Sequence, residues 1–257
     1  MAMYQINYFL KLLKYNLEWL RAYPARIAIS ISWVVFGFIP QFFFWYIIIN
    51  SSTSIPYSIK EIAMYFLFSL GLFYNLSHVN RYFREIATGE VITNVIKPIS
   101  LTNNYLYIFF TRIFINKLPN IIIITIVGCL LLGIKSSILA AIFFTAGLIL
   151  GSLFFVVLFF TMFWFRNNWG IKHGIDLLVL FSSGTWIPLD LLPKFWAGIL
   201  NNLPFKLMFY VPGKLYISQF TITWGIIFEY LFWIITLYIL ARILEYFGLK
   251  YYEQLGG

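Results

Sequence analysis

The chain has 257 residues, of which 61% are hydrophobic and only 11% are charged, compared with about 25% charged residues in soluble domains. This composition excludes a soluble globular fold and indicates that the lipid bilayer is the main solvent. The net charge of +9 does not indicate nucleic acid as a partner. The chain has no basic run of five residues, and Lys and Arg collect on the cytoplasmic loops of membrane proteins.

Few residues of the chain have side chains that could form a disulfide, bind a metal or act in catalysis. The single Cys129 excludes an internal disulfide, and His78 and His173 are too far apart to suggest a metal site. No nucleophile, base and orienting group fall at compatible depths in the predicted helices. We therefore expect no metal, no cofactor and no catalytic residue in this chain.

The N-terminal segment is predicted to be an amphipathic helix over residues 4–22, because apolar residues recur there at helical spacing with charged residues between them. Such a helix lies in the headgroup plane, so membrane lipids are expected partners. Tyr23-Pro24 then turns the chain, since proline disfavours helix at the preceding residue. A cytoplasmic extension of the first span stays open as an alternative.

Six apolar stretches are predicted to span the membrane, although the third and fifth are shorter than the roughly 20 residues of a full crossing. They cover residues 27–49, 62–80, 118–134, 136–165, 173–187 and 220–244. Strands of a barrel would instead alternate in polarity over about ten residues. We expect an all-α membrane protein with one transmembrane domain over residues 1–257.

The distribution of Lys and Arg orients these spans. With a cytoplasmic N-terminus, thirteen Lys and Arg residues fall on the inside and five on the outside. The positive-inside rule therefore favours cytoplasmic N- and C-termini. We expect a multi-pass protein of a prokaryotic inner membrane.

The segment 81–100 follows the second predicted span and holds five of the 27 charged residues. Apolar residues recur at helical spacing on both sides of Gly89, which predicts two short amphipathic helices separated by that glycine and ended by Pro98. The pattern fits either a solvated cytoplasmic loop or a docking element for a cytoplasmic partner.

The segment 188–216 is predicted to be a re-entrant hairpin on the outer side, because the fifth span is short and prolines follow it. A surface loop over the outer leaflet is the alternative. Glu229, inside the sixth span, could line a substrate path, pair with another charge or be neutral. Ser182, Ser183 and Trp186 are further candidates for that path.

Two small-residue motifs, Gly147/Gly151 and Gly170/Gly174, have the G-x-x-x-G spacing that lets membrane helices approach closely. We interpret them as packing sites within the chain in preference to dimer contacts.

Two blocks of the sequence resemble type 2 ABC transporter permeases. GEVITNVIKPIS (89–100) is similar to a signature of that family, with Lys97-Pro98 as its Lys-Pro pair. The block SSGTWIPLDLLPKFWAGILNNLPFKLMFYVPGKLY (182–216) is similar to the family's segment after the fifth span, with Pro188 and Pro193 at motif positions. The resemblance covers essentially the whole chain.

This resemblance implies the membrane subunit of an ATP-driven exporter. Such a subunit pairs with a second permease, identical or paralogous, and with two cytoplasmic ABC ATPase subunits that bind ATP and Mg. The amphipathic N-terminal helix resembles the family's connecting helix. The 257 residues contain no G-x-x-x-x-G-K-[ST], so the ATPase activity is expected in a separate partner.

The family's coupling helix, which docks into a cleft of the ATPase, falls by position between the second and third spans. The implied docking residues are Arg81, Tyr82, Phe83, Arg84, Glu85, Ile86 and Gly89. We expect an exposed Phe83 or Ile86 to bury in the cleft, while Arg and Glu side chains set the register.

The predicted function is export of a hydrophobic or amphipathic molecule such as a drug, peptide or lipid. The alternatives are an ATP-independent transporter, a membrane enzyme or a purely structural membrane subunit. A secondary carrier should show internal repeats and paired broken helices, and the sequence shows neither.

Overall fold

A computed structural model describes residues 2–51, 55–73, 79–165 and 169–254. All regular elements in these ranges are helical, which confirms the predicted all-α class. The α-helices are α1 (Ala2–Ala22), α2 (Ala25–Ser51), α3 (Ile59–Leu72), α4 (Arg84–Thr88), α5 (Ile92–Val95), α6 (Leu101–Leu131), α7 (Ile134–Thr161), α8 (Trp169–Ser182), α9 (Lys194–Leu200), α10 (Tyr210–Tyr216) and α11 (Trp224–Gln254). Short 3₁₀ turns cover Asn80–Phe83, Leu189–Leu191 and Pro204–Leu207.

Within the described ranges, four helices are long and apolar enough to cross a membrane, namely α2, α6, α7 and α11. The helices α3 and α8 have 14 residues each. Their length of about 21 Å is less than the roughly 30 Å of a bilayer core. Six crossings therefore stay a prediction.

The long helices extend beyond the apolar stretches from which the spans were predicted. α6 begins at Leu101, well before residue 118, because Ser100 caps it and accepts a hydrogen bond from the Asn103 amide. α11 continues to Gln254 instead of ending at residue 244. Charged side chains interrupt an apolar run without interrupting a helix, since their long stems reach out along the helix surface.

The two 14-residue helices end earlier than predicted. α3 begins with a capping box between Ser58 and Glu61 and ends at Leu72, and residues 74–78 of the predicted second span, including His78, lie outside the described residues. α8 ends at Ser182, two residues before Gly184, whose φ of +78° lies in the left-handed region.

The core is built around α7, which packs against α6, α10 and α11. Four of its phenylalanines are buried, and Phe144 and Phe159 contact aromatic residues of α3, α6 and the segment before α10. α2 differs, because Trp45 is its one buried residue among those described. The outward faces of α2 are therefore apolar and available to lipid or to another protein.

Gly147 lets the chain between α9 and α10 approach α7 closely. A Cβ built on Gly147 would lie 2.9 Å from the Leu207 carbonyl oxygen and 2.9 Å from the Cα of Met208. The interpretation of Gly147 as a packing site within the chain is confirmed. Gly174, in the second motif, has open space around its Cβ position.

We expect Gly147→Ala to destabilise the protein by roughly 1–3 kcal/mol, because the added methyl meets rigid backbone. The matched control is Gly174→Ala, which should be neutral or stabilising by up to about 1 kcal/mol, since alanine is the better helix former. Thermal unfolding of the two variants in detergent measures the difference. Equal apparent Tm values would contradict the packing argument.

Candidate functional site: two polar junctions at the ends of α6

The segment between α3 and α6 reverses direction at Gly89. This residue ends α4 with a φ of +78°, and the Val91 amide returns to the Glu85 carbonyl at 3.1 Å. α5 follows at once, so the segment consists of a 3₁₀ turn and two short helices. A side chain at position 89 would strain this reversal, which explains a glycine there.

Asn94 is the centre of a buried network that we call the Asn94 junction. Its Nδ2 donates to Glu85 Oε2 at 3.1 Å and to the Tyr105 hydroxyl at 3.0 Å. Its Oδ1 accepts from Lys97 Nζ at 2.7 Å and from Asn104 Nδ2 at 3.0 Å. The Tyr105 hydroxyl also donates to Glu85 Oε2 at 2.6 Å. These five residues join α4 and α5 to the first turn of α6.

The N-terminal helix α1 attaches to the same junction through Tyr8. The Tyr8 hydroxyl donates to Asn104 Oδ1 at 2.6 Å, and Lys97 Nζ lies 5.5 Å from the centroid of the Tyr8 ring. Burial raises the pKa of Tyr8 to about 12, so the hydroxyl keeps its proton and remains a donor. Burial also lowers the pKa of Lys97, an effect that the Glu85 carboxylate opposes.

Glu245 connects α11 to this end of α6. Its carboxylate accepts hydrogen bonds from the Leu101 amide at 2.9 Å and from the Thr102 hydroxyl at 2.7 Å. It also forms an ion pair with Arg242 at 2.8 Å. A carboxylate at a helix N-terminus satisfies free amides and interacts favourably with the helix dipole. α1, the segment 79–100, α6 and α11 therefore meet at one place.

The expectation that Phe83 and Ile86 are exposed is wrong, because both are buried within the chain. The Phe83 ring lies 6.3 Å from Phe109 and 6.0 Å from Phe159, centroid to centroid. Tyr82 is also buried, and the side chain of Arg81 lies outside the described part of the chain. The exposure was expected from the family resemblance, whereas the helical spacing of these apolar residues marks a face that packs on α6 and α7.

The exposed apolar side chains of this segment lie on α5 and just after it. Ile92, Val95 and Ile96 are 47%, 44% and 79% exposed, and Arg84 and Glu90 of the same segment are also exposed. Pro98 follows, also exposed. We call these residues the docking face: Arg84, Glu90, Ile92, Val95 and Ile96.

A second network, the Asp190 junction, lies near the other end of α6. Lys214 Nζ forms an ion pair with Asp190 at 2.9 Å and donates to Gln219 Oε1 at 2.8 Å. Tyr57 donates to Asp190 at 2.7 Å, and Gln219 donates to Glu61 at 2.8 Å. Burial, followed by the bond to Asp190, raises the pKa of Tyr57, so it stays a donor.

The two junctions are separated by the length of α6. Lys60, in the first turn of α3, donates to the Leu131 carbonyl at the end of α6 at 2.8 Å. α6 has 31 residues, so its ends are about 46 Å apart. This separation is greater than the roughly 30 Å thickness of a bilayer core.

The hairpin between α8 and α11 has a buried half and an exposed half. α9 has no buried residue, whereas α10 is buried against α3 and α7. Tyr216 donates to the Ile124 carbonyl at 2.7 Å. Pro188 and Pro193 stand at the starts of the Leu189–Leu191 turn and of α9. Re-entry of this segment into the membrane stays a prediction, and the burial of α10 is what such re-entry would require of irregular backbone.

In the described part of the chain, no hydrogen bond or ion pair joins two of the four predicted path residues, Ser182, Ser183, Trp186 and Glu229. Glu229 forms an ion pair with Lys206 at 2.8 Å. Of the alternatives predicted for Glu229, the structure therefore shows pairing with another charge. Ser182 and Ser183 are buried and bonded within their own segment, to the Leu178 carbonyl and to Thr185. Trp186 is 43% exposed, and its carbonyl accepts from Gln41.

Several residues of the junctions were missed from the sequence: Asn94, Asn104, Tyr105, Asp190, Lys214 and Glu245. Asp190 and Lys214 carried a usable signal, because two opposite charges stand in an otherwise apolar block. Lys117 is another missed residue, since it is only 8% exposed in α6 and no described carboxylate lies within 4.0 Å of it.

Together, the long apolar helices, the buried hairpin and the polar junctions define a multi-pass helical membrane protein. The chain belongs to the ABC-2 transporter family, since the model described as "ABC-2 family transporter protein" matches residues 23–256. The predicted resemblance to type 2 ABC permeases is thereby confirmed. No curated protein matches the chain. Family permeases are membrane transport components without a nucleotide-binding domain of their own, and they generally work with ATPase subunits.

We expect Asp190→Ala to cost roughly 1.5–3 kcal/mol of stability, because it removes the hydrogen-bonded counter-charge of the buried Lys214. Lys214→Met alone should also destabilise, and the double variant should cost less than the sum of the two single variants. Chemical unfolding in detergent measures all three.

Lys194→Met is the matched control, because Lys194 is exposed in the same hairpin and its loss should change stability by less than about 0.5 kcal/mol. Additive effects of the two single substitutions would contradict a coupled junction.

Proposed function

We propose that this chain is the membrane-spanning permease subunit of an ABC exporter. It moves a hydrophobic or amphipathic molecule outward, and a separate ATPase subunit, which binds ATP and Mg, supplies the energy. Membership of the ABC-2 transporter family supports the permease role. The large apolar and aromatic content of the helices supports a hydrophobic or amphipathic substrate, such as a drug, a peptide or a lipid.

One observation carries the proposal, namely that the docking face is fixed to the helix body by the Asn94 junction. On one side of α5, Val95 and Ile96 are exposed, and nothing in the described chain covers them. On the other side, Asn94 is bonded to α4 and to α6. An exposed apolar element anchored by a buried polar network is suited to receive force from a partner.

The charge distribution of the sequence supports a cytoplasmic location for this face. The segment 79–100 lies on the Lys- and Arg-rich side of the predicted topology, where ATP is available. Val95 and Ile96 would enter an apolar cleft of the ATPase. Arg84 and Glu90 would pair with charges at its rim and set the register.

In the proposed cycle, ATP closes the ATPase pair and moves α4 and α5. The Asn94 junction passes that motion to α6 and α1, and Glu245 passes it to α11. Rearrangement of these helices against those of a second permease, identical or paralogous, opens a path to the outside. The exposed apolar surface of α2 is suited to such pairing within the membrane.

We expect Val95→Asp/Ile96→Asp to abolish binding of the ATPase without unfolding the permease, because charge is placed on an exposed apolar surface. The measurement is co-purification from membranes, with the ATPase identified by mass spectrometry. Val95→Leu/Ile96→Leu should retain the ATPase. Phe195→Asp, at an exposed apolar position of α9, controls for location and should also retain it.

Two results would contradict this assignment of the docking face. One is normal co-purification of the ATPase with the double aspartate variant. The other is equal loss of the ATPase with Phe195→Asp. Phe83→Asp cannot serve as the test, because Phe83 is buried and its replacement by a charge would unfold the segment.

We expect Asn94→Ala to keep the ATPase bound but to uncouple ATP hydrolysis from the permease, because the docking face is intact while its link to α6 is lost. ATP hydrolysis by the purified complex in lipid vesicles should fall to the rate of the ATPase alone. Thr93→Ala, at an exposed neighbouring position, is the control and should behave as the original protein. Hydrolysis that still responds to the permease in Asn94→Ala would argue against the relay.

A further inference from the structure

Lys117 of α6 is a buried lysine whose positive charge has no partner in the described part of the chain. It is 8% exposed, no described carboxylate lies within 4.0 Å of its Nζ, and no described residue accepts a hydrogen bond from it. Lys206 and Lys214 are also largely buried, but their Nζ atoms lie 2.8 Å and 2.9 Å from the carboxylates of Glu229 and Asp190. A buried ammonium group is unfavourable unless a negative charge or another acceptor compensates it.

Most acidic side chains of the protein are engaged elsewhere. Six of them form ion pairs or hydrogen bonds with other described groups: Glu18, Glu61, Glu85, Asp190, Glu229 and Glu245. Glu90 is exposed on the docking face. An ionisable residue held in a membrane helix without a counter-charge from its own chain is a candidate for ligand binding. We therefore expect the counter-charge of Lys117 to come from a bound molecule.

The contacts of the next turns of α6 show at which level Lys117 lies. Asn120 Nδ2 donates to Ser30 Oγ of α2 at 3.1 Å. One turn further along both helices, Val34 of α2 and Ile124 of α6 lie against the same glycine of α3. The two helices therefore run in the same direction, and each α2 residue is level with the α6 residue 90 positions later. Lys117 is thus level with the first turn of α2.

The first turn of α2 is where an apolar helix enters the membrane. α2 is long and apolar enough to span a bilayer, and its start lies on the cytoplasmic side in the predicted topology. Beyond this turn, α2 exposes Ile29, Trp33 and Phe36. An amphiphile of the inner leaflet keeps its charged head at the boundary and its apolar chain in the hydrocarbon, because burial of a charge is costly. Lys117 therefore lies at the depth of such a head.

We propose that Lys117 recognises the acidic group of the transported molecule, so that the substrate class is an amphiphile with a phosphate or carboxylate head. This inference rests on the proposed permease function. Lys117 is buried in the described structure, so the head reaches it when α2 moves away from α6 at the contact between Ser30 and Asn120. A zwitterionic head binds less tightly, because its own cation already balances its acidic group.

The binding test is native mass spectrometry of the purified full chain in a neutral detergent, titrated with lysophosphatidic acid or lysophosphatidylcholine. The original chain should prefer lysophosphatidic acid. Lys117→Met should weaken that binding on the order of tenfold, as expected for the loss of one partner of a charge pair. Lys117→Arg keeps the charge and should retain most of the binding. Lys135→Met is the matched control, because it removes the same charge from an exposed position at the start of α7 and should leave the binding unchanged.

Three results of this titration would overturn the role of Lys117. They are equal binding of the two lipids by the original chain, undiminished binding by Lys117→Met, and equal weakening by Lys135→Met. Displacement of the lipid by millimolar inorganic phosphate would identify a soluble anion as the ligand and reject the amphiphile.

The stability of Lys117→Met separates ligand recognition from a structural role. Without added lysophosphatidic acid, the apparent Tm of this variant should equal or exceed that of the original chain, because methionine removes a buried charge and keeps an apolar stem. A lower apparent Tm would show that the ammonium group stabilises the fold, and it would overturn the proposal.

ATP hydrolysis by the complex reconstituted in lipid vesicles tests whether the bound amphiphile is the substrate. Lysophosphatidic acid should stimulate the complexes that contain the original chain or Lys135→Met, but not the complex that contains Lys117→Met. Binding without stimulation in the original complex would overturn the assignment as substrate. A chain that associates with no ATPase would reject the permease function, whereas loss of selectivity in the binding titration rejects the role of Lys117 alone.

Discussion

The hydrocarbon core of a bilayer offers no hydrogen-bond partner, so each polar group placed there must be satisfied by the chain itself. This constraint explains where the polar side chains of this protein lie. Many of them gather in two networks, one around Asn94 and one around Asp190, near opposite ends of α6. Outside these networks, Glu229 pairs with Lys206 and Lys117 is buried within α6. Between the two networks, the helix surfaces that face α7 are filled with aromatic and aliphatic side chains.

The networks also connect separate elements of the protein. At the Asn94 junction, five side chains share their hydrogen bonds, so a displacement of α5 changes the environment of Asn104 and Tyr105 at the start of α6. Buried networks of this kind stabilise one geometry when every member is satisfied, and they are costly when one member is lost. α5 is therefore joined to the start of α6 by buried hydrogen bonds, which an ordinary solvated loop lacks.

Where α7 and α3 meet the hairpin, the elements pack through close approach of the backbone at glycines and not through bulky side chains. Gly147 accommodates the backbone before α10, and Gly213 of α10 lies against Tyr65 of α3. Without a hydrophobic driving force between helices inside lipid, such close contacts and internal hydrogen bonds supply much of the association energy. The buried half of the hairpin is thus part of the helix packing and not a separate cap.

The sequence by itself determined the class of the protein, the amphipathic N-terminal helix, the turn at Tyr23-Pro24, the reversal at Gly89 and the family. These follow from composition, periodicity and the backbone preferences of proline and glycine, which act locally. The ends of α6 and α11 were not predictable from apolar runs, since a helix continues through Arg112 or Glu245 as readily as through leucine.

Only the tertiary structure decided which side of each short helix faces inward. Phe83 and Ile86 have the same spacing whether they face a partner or the core. Periodicity therefore could not show that Phe83 packs on Phe109 and Phe159 or that Ile86 is buried. The pairing of Asp190 with Lys214 and the bonding of Asn94 to Asn104 likewise depend on which helices lie side by side. That arrangement is set by long-range packing, which no local pattern in the sequence encodes.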